Sequence, residues 1–242
     1  MAQYDDIAAS YVRVKSKNDL DDLCLYPRLL RALGSVKGID VLDLATGGGK
    51  VALMLSARGA RQVVAVDESE GMLRIAASQR PAAANITYLQ HKVGEMGQIG
   101  QFQKITAGWL FHYARLPEEL RNMARDVSQN LAPGGLMVAL NGNPLCPTGG
   151  SEKYGYFATA APSDLTDGDV IRLCVFGNGA ENSFKTRFWR YETYVRAFAQ
   201  AGLVLKMRVP LPGKRAVKLK GREWWANYFN FPTSALFIAR HR

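Results

Sequence analysis

The chain has 242 residues, 48% of them hydrophobic and 21% charged, with a formal net charge of +10. That length and apolar share suit one α/β domain with an insertion, and leave too little chain for two domains of ordinary size. No run of 18 apolar residues and no basic-then-apolar start is present, so neither a membrane span nor a secretory signal is expected, and the expected compartment is the cytoplasm.

Residues 4–12 are polar with two aromatics, Tyr4 and Tyr11, and the apolar spacing from Leu20 to Leu33, stopped by Gly34, predicts a helix approaching the first strand. Segment 1–34 is therefore expected to form a lid and an approach helix. The chain then alternates through strand 40–44, helix 48–58, strand 62–66, helix 69–79, strands 86–90 and 103–107, helix 117–131 and strand 135–140. Such alternation predicts an α/β fold with a mostly parallel sheet covered on both faces. Within it, Pro133-Gly134-Gly135 marks the turn from the long helix into the next strand. Past Asn141 the helical alternation stops. Gly and Pro punctuation and the runs Tyr154–Ala158, Val170–Phe176 and Ser183–Tyr191 predict an antiparallel cap inserted at 141–191. A helix from Glu192 to Ala201, a strand from Leu203 to Val209 and a last strand from Ala235 to Ala239 close the chain, the two strands forming an edge hairpin with a loop between them.

Between Lys206 and Arg242 nine basic residues face Glu223 alone, which places +8 of the net charge in one segment. A charge run of this kind is a solvated face or a surface that steers anionic substrates or nucleic acid. Cys24, Cys146 and Cys174 are odd in number and share no ligand spacing with His91, His112 and His241, which argues against disulfides and against a metal site.

The chemistry concentrates at Val41-Leu42-Asp43-Leu44-Ala45-Thr46-Gly47-Gly48-Gly49 and Val63-Val64-Ala65-Val66-Asp67. The first is a strand running into a glycine turn and a helix, which aims backbone amides at one ligand. The second ends in a carboxylate at the strand tip, placed to accept hydrogen bonds from both hydroxyls of a ribose. Asp43, at the end of its own strand, is suited to receive a cationic amine, directly or through water. Dinucleotide spacing, with glycines at positions one, three and six, is absent, which disfavours an NAD oxidoreductase. Further along, Ala107-Gly108-Trp109-Leu110-Phe111-His112-Tyr113 falls at the carboxyl edge of the fourth strand, where its aromatics are placed to stack on a flat ligand and His112 to act as a base near neutral pH.

The Asp43–Gly49 pattern with Asp67 resembles motif I and the ribose acid of class I S-adenosylmethionine-dependent methyltransferases. The Tyr4-Asp5 opening, the Trp109–Tyr113 run and the Ser183–Tyr194 region resemble the microbial small-molecule members, toxoflavin-type N-methyltransferases among them. The resemblance implies a Rossmann-like seven-stranded sheet of order 3 2 1 4 5 7 6 and S-adenosylmethionine as cofactor. It assigns Asp43, Gly47 and Gly49 to the methionyl end, Asp67 to the ribose, Met72 and Val93 to the adenine, and Tyr4 and Tyr11 to a closing lid, with Ala45, Thr46, Glu68, Lys92 and Ala107 also in the cofactor site. Trp109, Phe111, His112, Tyr113, Phe188 and Trp189 fall on the substrate side, with His112 or Tyr113 as the proton acceptor where one is needed.

Two positions depart from the pattern. Ala45 replaces the first glycine, at little cost if its φ is negative and at real cost if positive, and tolerance is expected. Lys92 stands where an acid commonly accepts from the adenine amino group; it carries only donors, which leaves that contact to the Val93 amide or to Glu95. The expected reaction is in-line methyl transfer, by proximity, to a small planar heterocycle or aromatic metabolite, nitrogen favoured over oxygen. RNA methylation and non-catalytic cofactor binding are the alternatives; nucleic acid and membrane are disfavoured as partners, and monomer and homodimer are both open.

Overall fold

The computed structural model describes residues 5, 7–160, 164–177 and 180–242. The chain begins with α1 (Ala8–Lys15), followed by one π-helical stretch, Asp21–Leu25, that runs straight into α2 (Tyr26–Leu33). Helix α2 buries Tyr26, Leu29, Leu30 and Leu33, one face at helical period, and ends at Gly34, whose φ of +79° an L side chain rarely adopts. The approach helix expected at Leu20–Leu33 is thus present with a π-helical first half, while α1 carries too weak an apolar pattern to be read ahead of the structure.

Next come β1 (Asp40–Leu44), α3 (Lys50–Ala57), β2 (Gln62–Asp67), α4 (Glu70–Ser78), β3 (Ile86–Gln90), β4 (Phe102–Gly108), α5 (Pro117–Asn130) and β5 (Leu131–Gly142). Four short strands follow, β6 (Gly149–Ser151), β7 (Tyr156–Ala160), β8 (Val170–Gly177) and β9 (Ala180–Arg187), then α6 (Tyr191–Gln200), β10 (Leu203–Arg208), α7 (Lys214–Lys220), α8 (Ala226–Asn230) and β11 (Ser234–His241).

The main sheet runs β3-β2-β1-β4-β5-β11-β10, parallel through its first five strands and antiparallel at β11 and β10. Counting only its own strands, that is 3 2 1 4 5 7 6; in whole-chain numbering the last two become 11 and 10, because the four strands β6–β9 intervene. Strand β1 sits at the centre with Val41, Leu42 and Leu44 fully buried, as a parallel strand covered on both faces requires. One apolar layer joins the sheet to α5 and α6 through Leu120, Val127, Phe198 and Phe237; the other joins it to α2 and α3 through Leu29, Leu33 and Leu55.

Strands β6–β9 form a second, wholly antiparallel sheet that comes between β5 and α6 in the sequence. Its last strand is Ala180–Arg187 rather than Ser183–Tyr191, since the chain leaves the ladder after Arg187 to start α6, and β6 is too short to have a pattern of its own. The expected loop between the closing strands contains α7 and α8, anchored by Trp225, which is fully buried and donates from Nε1 to the Ala216 carbonyl. Strand β5 starts at Leu131, with its pairing to β4 shifted across Pro133-Gly134-Gly135. No helix among the described residues is long and apolar enough to cross a membrane.

Candidate active site

Register in the parallel sheet brings three strand ends together, because Leu44 pairs with both Val66 of β2 and Ala107 of β4. The turn after β1 is closed by Thr46 N–H to the Val66 carbonyl at 2.9 Å and Gly49 N–H to the Thr46 carbonyl at 2.9 Å. Gly47 and Gly49 take φ of +52° and +81°, and a side chain at Gly49 would come within 3.0 Å of Ala76 and Tyr88. Ala45 also lies in the left-handed region, φ +52°, where a methyl group is costly, so the expected tolerance at that position is corrected.

Asp43 lies under the turn. Thr46 Oγ1 donates to its Oδ2 at 2.7 Å and Thr106 Oγ1 to its Oδ1 at 2.6 Å, and the side chain is almost wholly inaccessible. Burial pushes its carboxyl up to about 6 against the lowering effect of those hydroxyls. Asp67 faces the other way. Gly47 N–H donates to its Oδ2 at 2.8 Å and Ser69 N–H to its Oδ1 at 2.9 Å, and the carboxylate lines the cavity beyond the turn. Burial raises its carboxyl above the usual range, with the two backbone donors opposing. One lone-pair position stays on each oxygen, the number a vicinal diol needs.

This first cavity measures about 480 Å³. Tyr11, Ala45, Gly47, Asp67, Glu68, Met72, Lys92 and Val93 line it, as the sequence reading expects of a cofactor site. Asp43, Thr46, Gly49 and Ala107 do not reach its wall: the first three build the turn, and Ala107 is buried in the sheet with Gly108 at the wall in its place. Lys92 is engaged in an ion pair with Glu95. The loop carrying Lys92 and Val93 is held by α5, where Asp126 Oδ2 accepts from Gly94 N–H at 2.6 Å and Met96 N–H at 3.2 Å. Leu110 and Met123 complete an apolar wall; nothing in the periodicity of α5 separates Met123 from ordinary core, which is why sequence reasoning missed it. Met72, Val93, Leu110 and Met123 thus give the cavity an apolar side, and the Asp67 carboxylate a side that accepts hydrogen bonds. Tyr4 lies outside the described residues.

A second cavity, about 80 Å³, lies between the main sheet and the four-stranded sheet. Tyr11, Trp109 and Tyr113 line both cavities and form the partition between them. Its walls include His112, Asn143, Tyr156, Phe184, Thr233 and, as expected, Phe188 and Trp189. The Trp189 indole donates to the Ala114 carbonyl at 3.0 Å, which fixes the ring in the wall. Phe111 does not take part. It packs into the core on Phe198 and Phe237 and lines neither cavity. Lys15 reaches the second cavity from α1, paired with the buried Asp21 and 5.9 Å from the centroid of the Trp109 ring. Lys15, Asn143 and Thr233 were not legible, since they arrive from three distant segments. The cavity is smaller than the roughly 150 Å³ of an apolar cavity that holds benzene, so a ring-sized occupant requires its walls to part.

His112 is 6% exposed, and burial alone pushes its imidazole down to about 3. It is held at the partition by its own N–H to Asn141 Oδ1 at 3.3 Å, with the Gly142 N–H donating to its Nδ1 at 3.4 Å. Trp109 sits in the left-handed region at φ +60°, a conformation that a bulky side chain holds only when its surroundings impose it.

One cavity thus lies at the carboxyl ends of the parallel strands, where α/β sheets bind ligands, and shares an aromatic partition with a smaller, mainly apolar one. Residues 41–135 match the family described as Methyltransferase domain. The chain is similar to the S-adenosylmethionine-dependent methyltransferase of Mesorhizobium loti, at 20% identity and a TM-score of 0.67, covering 89% of this chain and 97% of that one. It is similar to the S-adenosylmethionine-dependent methyltransferase of Clostridium acetobutylicum ATCC 824 at 16% identity and a TM-score of 0.64, covering 99% of both chains. The CcbJ methyltransferase of Streptomyces caelestis gives 16% identity and a TM-score of 0.64 over 99% of this chain and 96% of that one. At these identities the structural likeness is one of fold. No protein of curated function matches the sequence. Residues 41–135 thus match a methyltransferase domain, and the chain as a whole has the fold of S-adenosylmethionine-dependent methyltransferases.

Proposed function

We propose that this protein is an S-adenosylmethionine-dependent enzyme that methylates a small, planar heterocyclic or aromatic metabolite held in the second cavity, with a ring or exocyclic nitrogen favoured over oxygen as nucleophile. The observation that carries the reading is the shared partition: Tyr11, Trp109 and Tyr113 belong to both cavities, so their occupants meet there and nowhere else along the described walls. When bound, S-adenosylmethionine supplies a methyl group already activated on a sulfonium sulfur. The protein's task is then to hold the nucleophile in line and to exclude water. Asp67 takes the ribose hydroxyls, Met72 and Val93 flank the adenine, and the turn at Ala45 and Gly47 takes the methionyl end. Helix α1 acts as the lid with Tyr11 at its centre, and the four-stranded sheet acts as the cap.

Nitrogen is favoured because a neutral amine or ring nitrogen attacks with its own lone pair, whereas a hydroxyl needs a base. The described wall of the second cavity has no carboxylate, and its imidazole is a weak base. The likeness to toxoflavin-type N-methyltransferases agrees with this. A pocket this small also favours a free small molecule over a base within an RNA chain, which needs an open trench. Calorimetric titration with S-adenosylhomocysteine tests the cofactor half: Asp67→Ala is expected to weaken binding about 100-fold through two lost charge-assisted hydrogen bonds, and unchanged affinity would sink the ribose assignment. Transfer of tritium from methyl-labelled cofactor to a panel of planar nitrogen heterocycles, against phenols and RNA, tests the substrate half.

A further inference from the structure

The second cavity contains polar groups that the protein itself leaves unanswered. Trp109 Nε1, His112 Nε2 and Thr233 Oγ1 are buried in its wall without a hydrogen-bond partner. An indole N–H only donates. For His112 the backbone decides: the Gly142 N–H points at Nδ1, so Nδ1 is the accepting nitrogen of a neutral ring and the hydrogen is on Nε2. Both groups are therefore donors, on rings whose centroids lie 6.2 Å apart. Buried donors without acceptors oppose folding, and their presence at a cavity wall points to a ligand that answers them. The strained backbone of Trp109, φ +60°, holds one of them at the partition.

We propose that Trp109 Nε1–H and His112 Nε2–H form a two-donor edge of this cavity, and that the methyl acceptor is a planar ring bearing carbonyl oxygens, or equivalent acceptors, that lie on that edge. The inference rests on the reading of the cavity as the acceptor site. It makes His112 a positioning residue: with its hydrogen on Nε2, the imidazole orients the ring and takes no proton from it. The other titratable groups lining the cavity are Tyr11 and Lys15 of α1, Tyr113 after β4, Tyr156 of β7, Arg187 of β9 and Tyr194 of α6. None is a carboxylate that would favour an imidazolium, and burial alone holds His112 neutral.

The test uses the full chain, labelled with ¹⁵N and saturated with S-adenosylhomocysteine. Two-bond ¹H–¹⁵N spectra of the imidazole are expected to show the Nε2–H form of His112 unchanged from about pH 5 to 9. An Nδ1–H form, or an imidazolium signal within that range, would overturn the proposal without any ligand being needed. Quinazoline-2,4-dione is then added, with naphthalene as the flat probe that lacks acceptors. The dione is expected to move the Trp109 indole and His112 Nε2–H signals downfield and to bind about 10-fold more tightly than naphthalene. That preference should fall below about three-fold in His112→Leu and be largely kept in His112→Gln, whose amide restores a donor. A dione that moves neither signal, or that binds no better than naphthalene, overturns the donor edge. Failure of S-adenosylhomocysteine to bind the same sample would instead sink the methyl-transfer reading, whatever the tautomer.

Discussion

Two buried residues at the ends of β1 and β4 respond to acid in opposite senses. Asp43 titrates at about 6 in the folded protein, above its unfolded value, so between roughly pH 6 and 4 the native state holds a proton that the unfolded chain has released. Its contribution to stability is thus greatest in acid and is lost as pH rises through 6. His112, pushed down to about 3, works the other way: below about pH 6.5 the unfolded chain takes a proton that the native ring refuses, and stability falls. Urea unfolding of Asp43→Asn beside the parent isolates the first effect. On going from pH 7 to 4.5 the parent should gain about 2 kcal/mol relative to the variant, and a gap that stays constant would show that Asp43 does not titrate there. At Ala45, φ +52°, replacement by glycine relieves strain of about 1 kcal/mol and restores part of it as unfolded-chain entropy. Ala45→Gly should therefore raise the melting temperature by about 1–2 °C, and calorimetry showing a drop would mean that the methyl group packs productively.

At the level of elements, the parallel core was legible because its strands are continuous apolar runs punctuated by glycine, and because Asp67 ends β2 at the carboxyl edge where ligands bind. Asp43 was legible as a residue of the turn, but not that Thr46 and Thr106 use up its oxygens from below, since Thr106 arrives from another strand. The sequence placed Phe111 with its neighbours Trp109 and Tyr113, yet the short 3₁₀ turn Phe111–Tyr113 sends the Phe111 ring into the core and those of His112 and Tyr113 to the second cavity. The second sheet was legible in outline only, its strands being short and set by contacts with α1. What sequence missed most is long-range support of loops, as in α5. There Asp126 gathers the amides of Gly94 and Met96, and Asn130 Oδ1 those of Ile99 and Gly100, so one helix shapes the loop that carries Val93. Asp126→Ala leaves one buried and one half-buried amide without that acceptor. It should cost about 3 kcal/mol of stability and weaken S-adenosylhomocysteine about 10-fold, whereas full affinity in the variant would show the loop to be self-supporting.

Over the whole molecule, α1 couples the two cavities. Its Val12 lies against Gly48 of the cofactor turn, so close that a Cβ there would come within 2.8 Å, while the Val14 carbonyl would be 2.5 Å from a Cβ at Gly177 of β8. Ser69 Oγ at the start of α4 donates to Asp5, three residues before the helix, at 2.6 Å, and Lys50 Nζ at the start of α3 donates to the Lys15 carbonyl at 3.4 Å. One element of eight residues thus touches the turn, two helices and the second sheet, and carries Tyr11 into the partition. The second cavity is too small for a ring as it stands, and α1 is the wall held by side chains and backbone contact without a ladder of its own. Occupying the first cavity braces the turn on which α1 rests, so S-adenosylhomocysteine should protect the whole molecule and α1 most of all. At about 100 times its dissociation constant the ligand contributes about 2.7 kcal/mol, which predicts a rise in melting temperature of about 5–10 °C. Hydrogen exchange should slow in α1 as much as in the glycine turn, and Gly177→Ala, which pushes Val14 away, should remove the protection of α1 while leaving that of the turn. If α1 exchanges at the same rate with and without ligand, the two cavities open independently and the partition is fixed by Trp109 and Tyr113 alone.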